Sequence, residues 1–190
     1  MKTYKKNYKL EFWETQKTFY NVIFNKYVFL LMEVDVKNTP IISADGSSRK
    51  LGEFSGEVVL IVNVASYCGN TAQYEDLQKL HKIYSKKGLR ILAFPCNDFG
   101  NQEPDSLDEI KNFCTSKYDV KFEILEKVHA KGNTTEPYTT LNKSEPKGDV
   151  EWNFEKFLIG KDSKVIARFK PGVKPFDENL IAAIEVALDS

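Results

Sequence analysis

The chain has 190 residues, 42% of them hydrophobic, and its 27 lysines and arginines balance 27 aspartates and glutamates. That length suits one core-bearing domain with an appendage, and the balanced charge leaves no field to collect nucleic acid or an anionic membrane. Three cysteines, Cys68, Cys96 and Cys114, make an odd set in a chain too long to need disulfide staples. With no C-x-x-C pair and only His81 and His129 beside them, they exclude a zinc site and fit a reducing compartment.

Residues 1–31 differ in character from the rest, with Lys2, Lys5, Lys6, Lys9, Lys17 and Lys26 set against Glu11 and Glu14 among many aromatics. Phe12, Phe19, Tyr20, Ile23 and Tyr27 fall near helical spacing, which suits either a basic amphipathic targeting or surface-anchoring helix or a plain helix packed on the domain. Tyr27 to Met32 is too short to span a bilayer, and lysines interrupt the residues before it. The expected division is an N-terminal extension over 1–31 and a core domain over 32–190. Met32 begins that domain, and a second translation start there would yield it without the extension. The location expected is cytoplasmic, or organellar if the extension is a targeting segment.

Within the core domain, Glu33 to Val36 and Pro40 to Ser43 are extended candidates for an N-terminal hairpin, and Ala44-Asp45-Gly46-Ser47 is a turn cluster. Val58 to Ala65 is apolar except for Asn63 and rich in β-branched types, the pattern of a strand buried on both faces. Cys68 follows it directly. Asn70 or Thr71 can then cap a helix carrying Tyr74, Leu77, Leu80 and Tyr84 on one stripe, with Gly88 as its stop and His81 off the stripe. Leu89 to Phe94 is a second buried strand, completing a right-handed βαβ unit, and FPCNDFGNQEP leaves it at the same sheet edge as Cys68.

Ser106 and Glu109 form a capping box, after which Leu107, Ile110 and Cys114 share one helix face, so Cys114 is expected to point inward. Phe122 to Val128 reads as extended and Asn142 to Asp149 as a polar link. Phe154 to Ile159 and Lys164 to Phe169 are strands joined by Gly160-Lys161-Asp162-Ser163, and a last helix runs from about Asp177. This order matches a thioredoxin-like α/β fold, a central mixed sheet flanked by helices. A cysteine where a strand ends and a helix begins is a candidate nucleophile, because that edge of an open sheet carries chemistry and a helix N-terminus favours a thiolate. The plain alternative for Cys68 is a small apolar plug in the core.

Three words, NVASYCG at Asn63 to Gly69, LAFPCNDFGNQEP at Leu92 to Pro104 and EWNFEKFLI at Glu151 to Ile159, resemble the signatures of the glutathione peroxidase family. The resemblance extends from about Val34 to Leu188. It implies a cysteine-type, non-selenium member close to the phospholipid-hydroperoxide type, with Cys68 as peroxidatic residue and Gln102, Trp152 and Asn153 completing a catalytic tetrad. It implies an antioxidant thiol peroxidase that reduces hydrogen peroxide and organic or lipid hydroperoxides, and no cofactor or metal. The amide and indole N–H groups can stabilise a thiolate, which is the species that attacks an O–O bond. Attack leaves a sulfenic acid. In cysteine-type members a second cysteine on the helix after the QEP word resolves it as an intramolecular disulfide that thioredoxin reduces; the matching residue is Cys114. Cys96 belongs to the family's FPCN word and reads as structural.

Asp98 departs from the family's usual glutamine and would raise the Cys68 pKa if it faced the thiol; it is expected to point away. Asn153 and Trp152 have plain alternatives as a turn residue and a core or lid aromatic. The link between Tyr138 and Trp152 is too short for the tetrameric members' assembly loop, so a monomer is expected, with thioredoxin as donor and glutathione as a slower one. A thioredoxin-type reductase would need a cysteine at position 71, where Thr71 stands, and a peroxiredoxin would need Pro and Thr shortly before the nucleophile, where Val64-Ala65-Ser66-Tyr67 stands. The remaining rivals are a peroxide-sensing relay passing oxidation to a partner through a mixed disulfide and a catalytically dead binding module.

Overall fold

The run VVLIVNV forms strand β3 (Val58–Val64), buried along its whole length, and the other elements assemble on it. The structure, a computed structural model, describes residues 34–190; the expectations for residues 1–31 and Met32 lie outside the described residues. β3 is paired in parallel with β4 (Leu89–Pro95), which pairs in parallel with the short β5 (Glu123–Ile124). On its other side β3 pairs antiparallel with β6 (Lys156–Ile159), which turns into β7 (Val165–Phe169). The five-stranded mixed sheet therefore runs β5-β4-β3-β6-β7. Among the described residues no helix is long and apolar enough to cross a membrane.

Alternation along β3 feeds two cores. Val58, Leu60, Val62 and Val64 meet helices α1 (Gln73–Tyr84), α2 (Leu107–Tyr118) and α4 (Glu178–Asp189) through Tyr74, Leu77, Leu80, Ile110, Cys114, Leu180 and Ile184. Val59 and Ile61 face the opposite layer with Phe94, Cys96, Phe99, Phe157 and the one-turn helix α3 (Tyr138–Leu141). Each fully buried Val, Leu or Ile contributes roughly 1.5–3 kcal/mol, and β3 is the longest fully buried strand among the described residues.

Three local expectations are corrected. The N-terminal hairpin pairs β1 (Pro40–Ile42) with β2 (Ser48–Lys50), and residues 34–36 are not its partner, Glu33 lying outside the described residues. The cause is a tight turn in which the Asp45 carboxylate accepts the Ser47 N–H at 2.9 Å and Gly46 takes φ +82°, so β1 pairs at once with the residues just past the turn. Asp35 instead bridges Lys164. Neither Asn70 nor Thr71 caps α1: its N-cap is Ala72, without a side-chain bond, because the Thr71 hydroxyl is engaged in the turn before it. β6 starts at Lys156 because Phe154 adopts φ +70°, which no strand accommodates.

Candidate active site

Cys68 sits half-buried in the turn between β3 and α1. The Thr71 hydroxyl accepts the Cys68 N–H at 2.9 Å and donates to the Ala65 carbonyl at 2.9 Å, so one side chain stitches the turn at both ends. The Asn70 backbone N–H donates to Cys68 Sγ at 3.3 Å. That donor points at the sulfur where a thiolate would carry its charge. The Asn70 side chain reaches 3.5 Å to the Asn153 carbonyl and ties this turn to the loop before β6.

Gln102 and Asn153 are brought into direct contact, Asn153 Nδ2 donating to Gln102 Oε1 at 3.0 Å. Asn153 is fully buried, and its Oδ1 is an acceptor with no protein partner; such an atom is free to take a hydrogen from a bound molecule. Gln102 follows two left-handed residues, Gly100 (φ +66°) and Asn101 (φ +52°). A Cβ on Gly100 would stand 3.4 Å from Gln102 Nε2, so the glycine leaves space for the amide as well as permitting the turn. Trp152 lies against Phe99 with ring centroids 5.7 Å apart and stays 41% exposed, at the rim and not in the core.

The loop carrying Trp152 and Asn153 is held from below by the one polar residue of β3. Asn63 Nδ2 donates to the Trp152 carbonyl at 3.1 Å, its Oδ1 accepts the Glu155 N–H at 3.0 Å, and its own carbonyl accepts the Phe154 N–H at 2.7 Å. Lys156 supports it from behind, its buried Nζ donating to Gln73 Oε1 at 2.6 Å, the Phe154 carbonyl at 2.8 Å and the Val173 carbonyl at 2.5 Å. Burial pushes this ammonium down to about 7, with the nearby Glu155 carboxylate opposing. Asn63 and Lys156 were visible in the sequence as polar residues interrupting apolar strands, and their roles were not read from it.

Cys114 is fully buried on α2, as its helical position indicated, and burial pushes its thiol up to about 11. Cys68 borders the same core. Cys96 belongs to the opposite core; it is fully buried, donates to Asp98 Oδ2 at 3.3 Å, and burial pushes its thiol up to about 12. Asp98 also accepts the Ala130 N–H at 2.7 Å and the Lys131 N–H at 3.1 Å, and pairs with His129 Nδ1 at 2.8 Å. Its carboxylate is thus engaged away from Cys68. Burial pushes that carboxyl up, but the imidazole and the other donors outweigh it and leave it below the ordinary range.

Residues 36–142 match the glutathione peroxidase family. The chain belongs to that family. It is 49% identical over 150 residues to the hydroperoxy fatty acid reductase Gpx2 of Synechocystis sp., a match covering 79% of this chain and 97% of that protein. It is 39% identical over 181 residues to the thioredoxin/glutathione peroxidase BtuE of Escherichia coli, covering 83% and 99%. A crystal structure of Trgpx in its apo form superposes with a TM-score of 0.67 at 32% identity, covering 82% of this chain and 96% of that one. Membership carries the enzyme class, a glutathione peroxidase-like hydroperoxide reductase on a thioredoxin-like fold, and a thiol reductant with a peroxide substrate.

Proposed function

We propose that Cys68 is the peroxidatic residue, that Gln102, Asn153 and Trp152 serve it, and that Cys114 resolves it. The observation that carries this reading is the Cys68 sulfur receiving a backbone N–H on a turn tied through Asn70 to the Asn153–Gln102 amide pair. The Cys68 thiolate attacks one peroxide oxygen, the O–O bond breaks, and the departing alkoxide takes a proton to leave as alcohol or water. Cys68 is left as a sulfenic acid. The Cys114 thiol then attacks Cys68 Sγ, losing its proton while the sulfenic hydroxyl leaves as water, and a dithiol reductant returns both thiols.

Thioredoxin is the donor we favour, in keeping with the name of the E. coli relative, with glutathione slower. The short chain between α3 and Trp152 and the exposed rim residues Trp152 and Tyr67 suit a monomer open to bulky organic or lipid hydroperoxides. We place the protein in the cytoplasm, or in an organelle if residues 1–31 direct it there.

Steady-state reduction of a small organic hydroperoxide by the full chain tests this, coupled separately to thioredoxin with its reductase and to glutathione with its reductase. Thioredoxin-dependent turnover abolished in Cys68→Ser and Cys114→Ser, with a Cys68–Cys114 disulfide in the peroxide-treated wild type, is expected. Turnover indifferent to Cys114, or a Cys68–Cys96 disulfide, would remove Cys114 from the cycle.

A further inference from the structure

Glu103 follows Gln102, is fully buried, and has no part in the cycle above. Both of its carboxylate oxygens are spent on one residue: Oε1 accepts the Ser66 hydroxyl at 3.0 Å and Oε2 accepts the Ser66 backbone N–H. Ser66 stands two residues before Cys68. The Glu103 backbone is itself fixed, its N–H donating to Asn97 Oδ1 at 2.8 Å and its carbonyl accepting Lys127 Nζ at 2.9 Å. Alongside, the Tyr67 N–H donates to the Gln102 carbonyl at 3.1 Å and the Tyr67 hydroxyl to Asp105 Oδ2 at 2.6 Å. The segment that presents the nucleophile and the segment that presents Gln102 are joined residue for residue.

A carboxylate buried in such a place is costly unless its bonds are needed. Burial pushes Glu103 up to about 7, against the pull of Ser66 and the Lys127 ammonium and with Asp105 adding to the rise. Its charge also bears on the Cys114 thiol and on the Tyr74 and Tyr67 phenols. An apolar side chain would be easier to bury but could not grip Ser66.

We propose that Glu103 is a positioning residue for Cys68, its carboxylate holding the Ser66 peptide and hydroxyl so that the turn presents the thiol beside Gln102 and Asn153. The inference rests on Cys68 being the nucleophile. Misplacing a reacting group by about 1 Å costs on the order of a hundredfold in rate, so a two-point grip two residues away matters to the peroxide step.

The test is the second-order rate of Cys68 oxidation by hydrogen peroxide in the full chain, followed by rapid mixing, with thermal melting of each variant. Glu103→Ala is expected to slow oxidation about tenfold or more. Glu103→Gln keeps one oxygen for the Ser66 N–H and an amide for its hydroxyl, and is expected to restore the rate to within about threefold. A folded Glu103→Ala that reacts at the wild-type rate overturns the proposal, and so does a Glu103→Gln that falls as far as the alanine. Should Glu103→Ala not fold, Ser66→Ala takes its place: a loss of about threefold from removing one of two bonds supports the grip, and an unchanged rate overturns it. A wild-type chain whose Cys68 peroxide does not oxidise would sink the catalytic reading and this inference together, a result distinct from either variant outcome.

Discussion

Replacing Asn63 by valine sets packing against polar satisfaction at the centre of the sheet. Valine is the better strand former and would complete an unbroken apolar run through β3, so a reading based on hydrophobic pattern predicts a gain in stability. The geometry predicts the reverse. Asn63 is fully buried and satisfies the Trp152 carbonyl and the Glu155 N–H, at 3.1 and 3.0 Å; valine would orphan both. Two orphaned groups cost about 1–3 kcal/mol each, and burying a valine in place of an amide returns roughly 1–2 kcal/mol. The expected net loss is about 2–3 kcal/mol, read in urea as a lower midpoint at unchanged slope. Because the same bonds hold the loop that carries Trp152 and Asn153, peroxide oxidation of Cys68 should also slow by about tenfold or more. A variant at least as stable as wild type with an unchanged peroxide rate would refute the argument.

Lys156 supplies a pH signature. Its ammonium is pushed down to about 7 in the folded chain from an ordinary value near 10.5, so above pH 7 the unfolded chain binds the proton that the folded one has released. Stability should therefore rise with pH between about 7 and 10 relative to Lys156→Met, by up to a few kcal/mol; a pH-independent difference between the two chains would exclude a depressed ammonium. Helix α2 supplies a dynamic signature. Only Ile110 and Cys114 of that helix are buried, against five residues of α1 and three of α4, so amide exchange along α2 should be the fastest of the three, and protection equal to that of α1 would contradict it.

Apart from β5, which keeps only Glu123–Ile124 of the extended stretch expected over Phe122 to Val128, the sheet was legible in the sequence to within a residue or two, because burial on both faces leaves β-branched runs that turn residues interrupt. β3 and β4 end one residue from where the apolar pattern does, and the Gly160–Ser163 turn marked the β6–β7 hairpin. The features that escaped were set by single long-range bonds or single backbone angles. The pairing of Pro40–Ile42 with Ser48–Lys50 depends on one aspartate folding its turn, and the late start of β6 on one left-handed phenylalanine. At the proposed site, Cys68, Gln102, Trp152 and Asn153 were named from local words. The residues that hold them, Asn63, Thr71, Glu103 and Lys156, act through side-chain bonds to distant backbone, and such bonds have no period to detect.

The division into two cores bears on why Cys114 and not Cys96 is the natural second thiol of the proposed cycle. A disulfide needs Cα atoms within about 7 Å, and because Cys96 and Cys114 are both fully buried, we expect whichever one pairs with Cys68 to leave its core. Cys96 lies in the layer opposite Cys68, and its N–H is bonded to the Val64 carbonyl at 3.0 Å, continuing the β3–β4 ladder. Moving it means opening the centre of the sheet. Cys114 lies in the core that Cys68 borders, on a helix with two fully buried side chains, worth together roughly 3–5 kcal/mol, and with Phe113 and Tyr118 packed partly buried beside them. We expect unwinding that helix to be the smaller cost. The same motion changes the chemistry, because the thiol that burial holds at about 11 returns toward its ordinary range once water reaches it. In the proposed cycle Cys114 would stay protonated while the enzyme is reduced and would not compete with Cys68 for peroxide; after Cys68 became a sulfenic acid, the step bringing Cys114 within reach would also make it a better nucleophile.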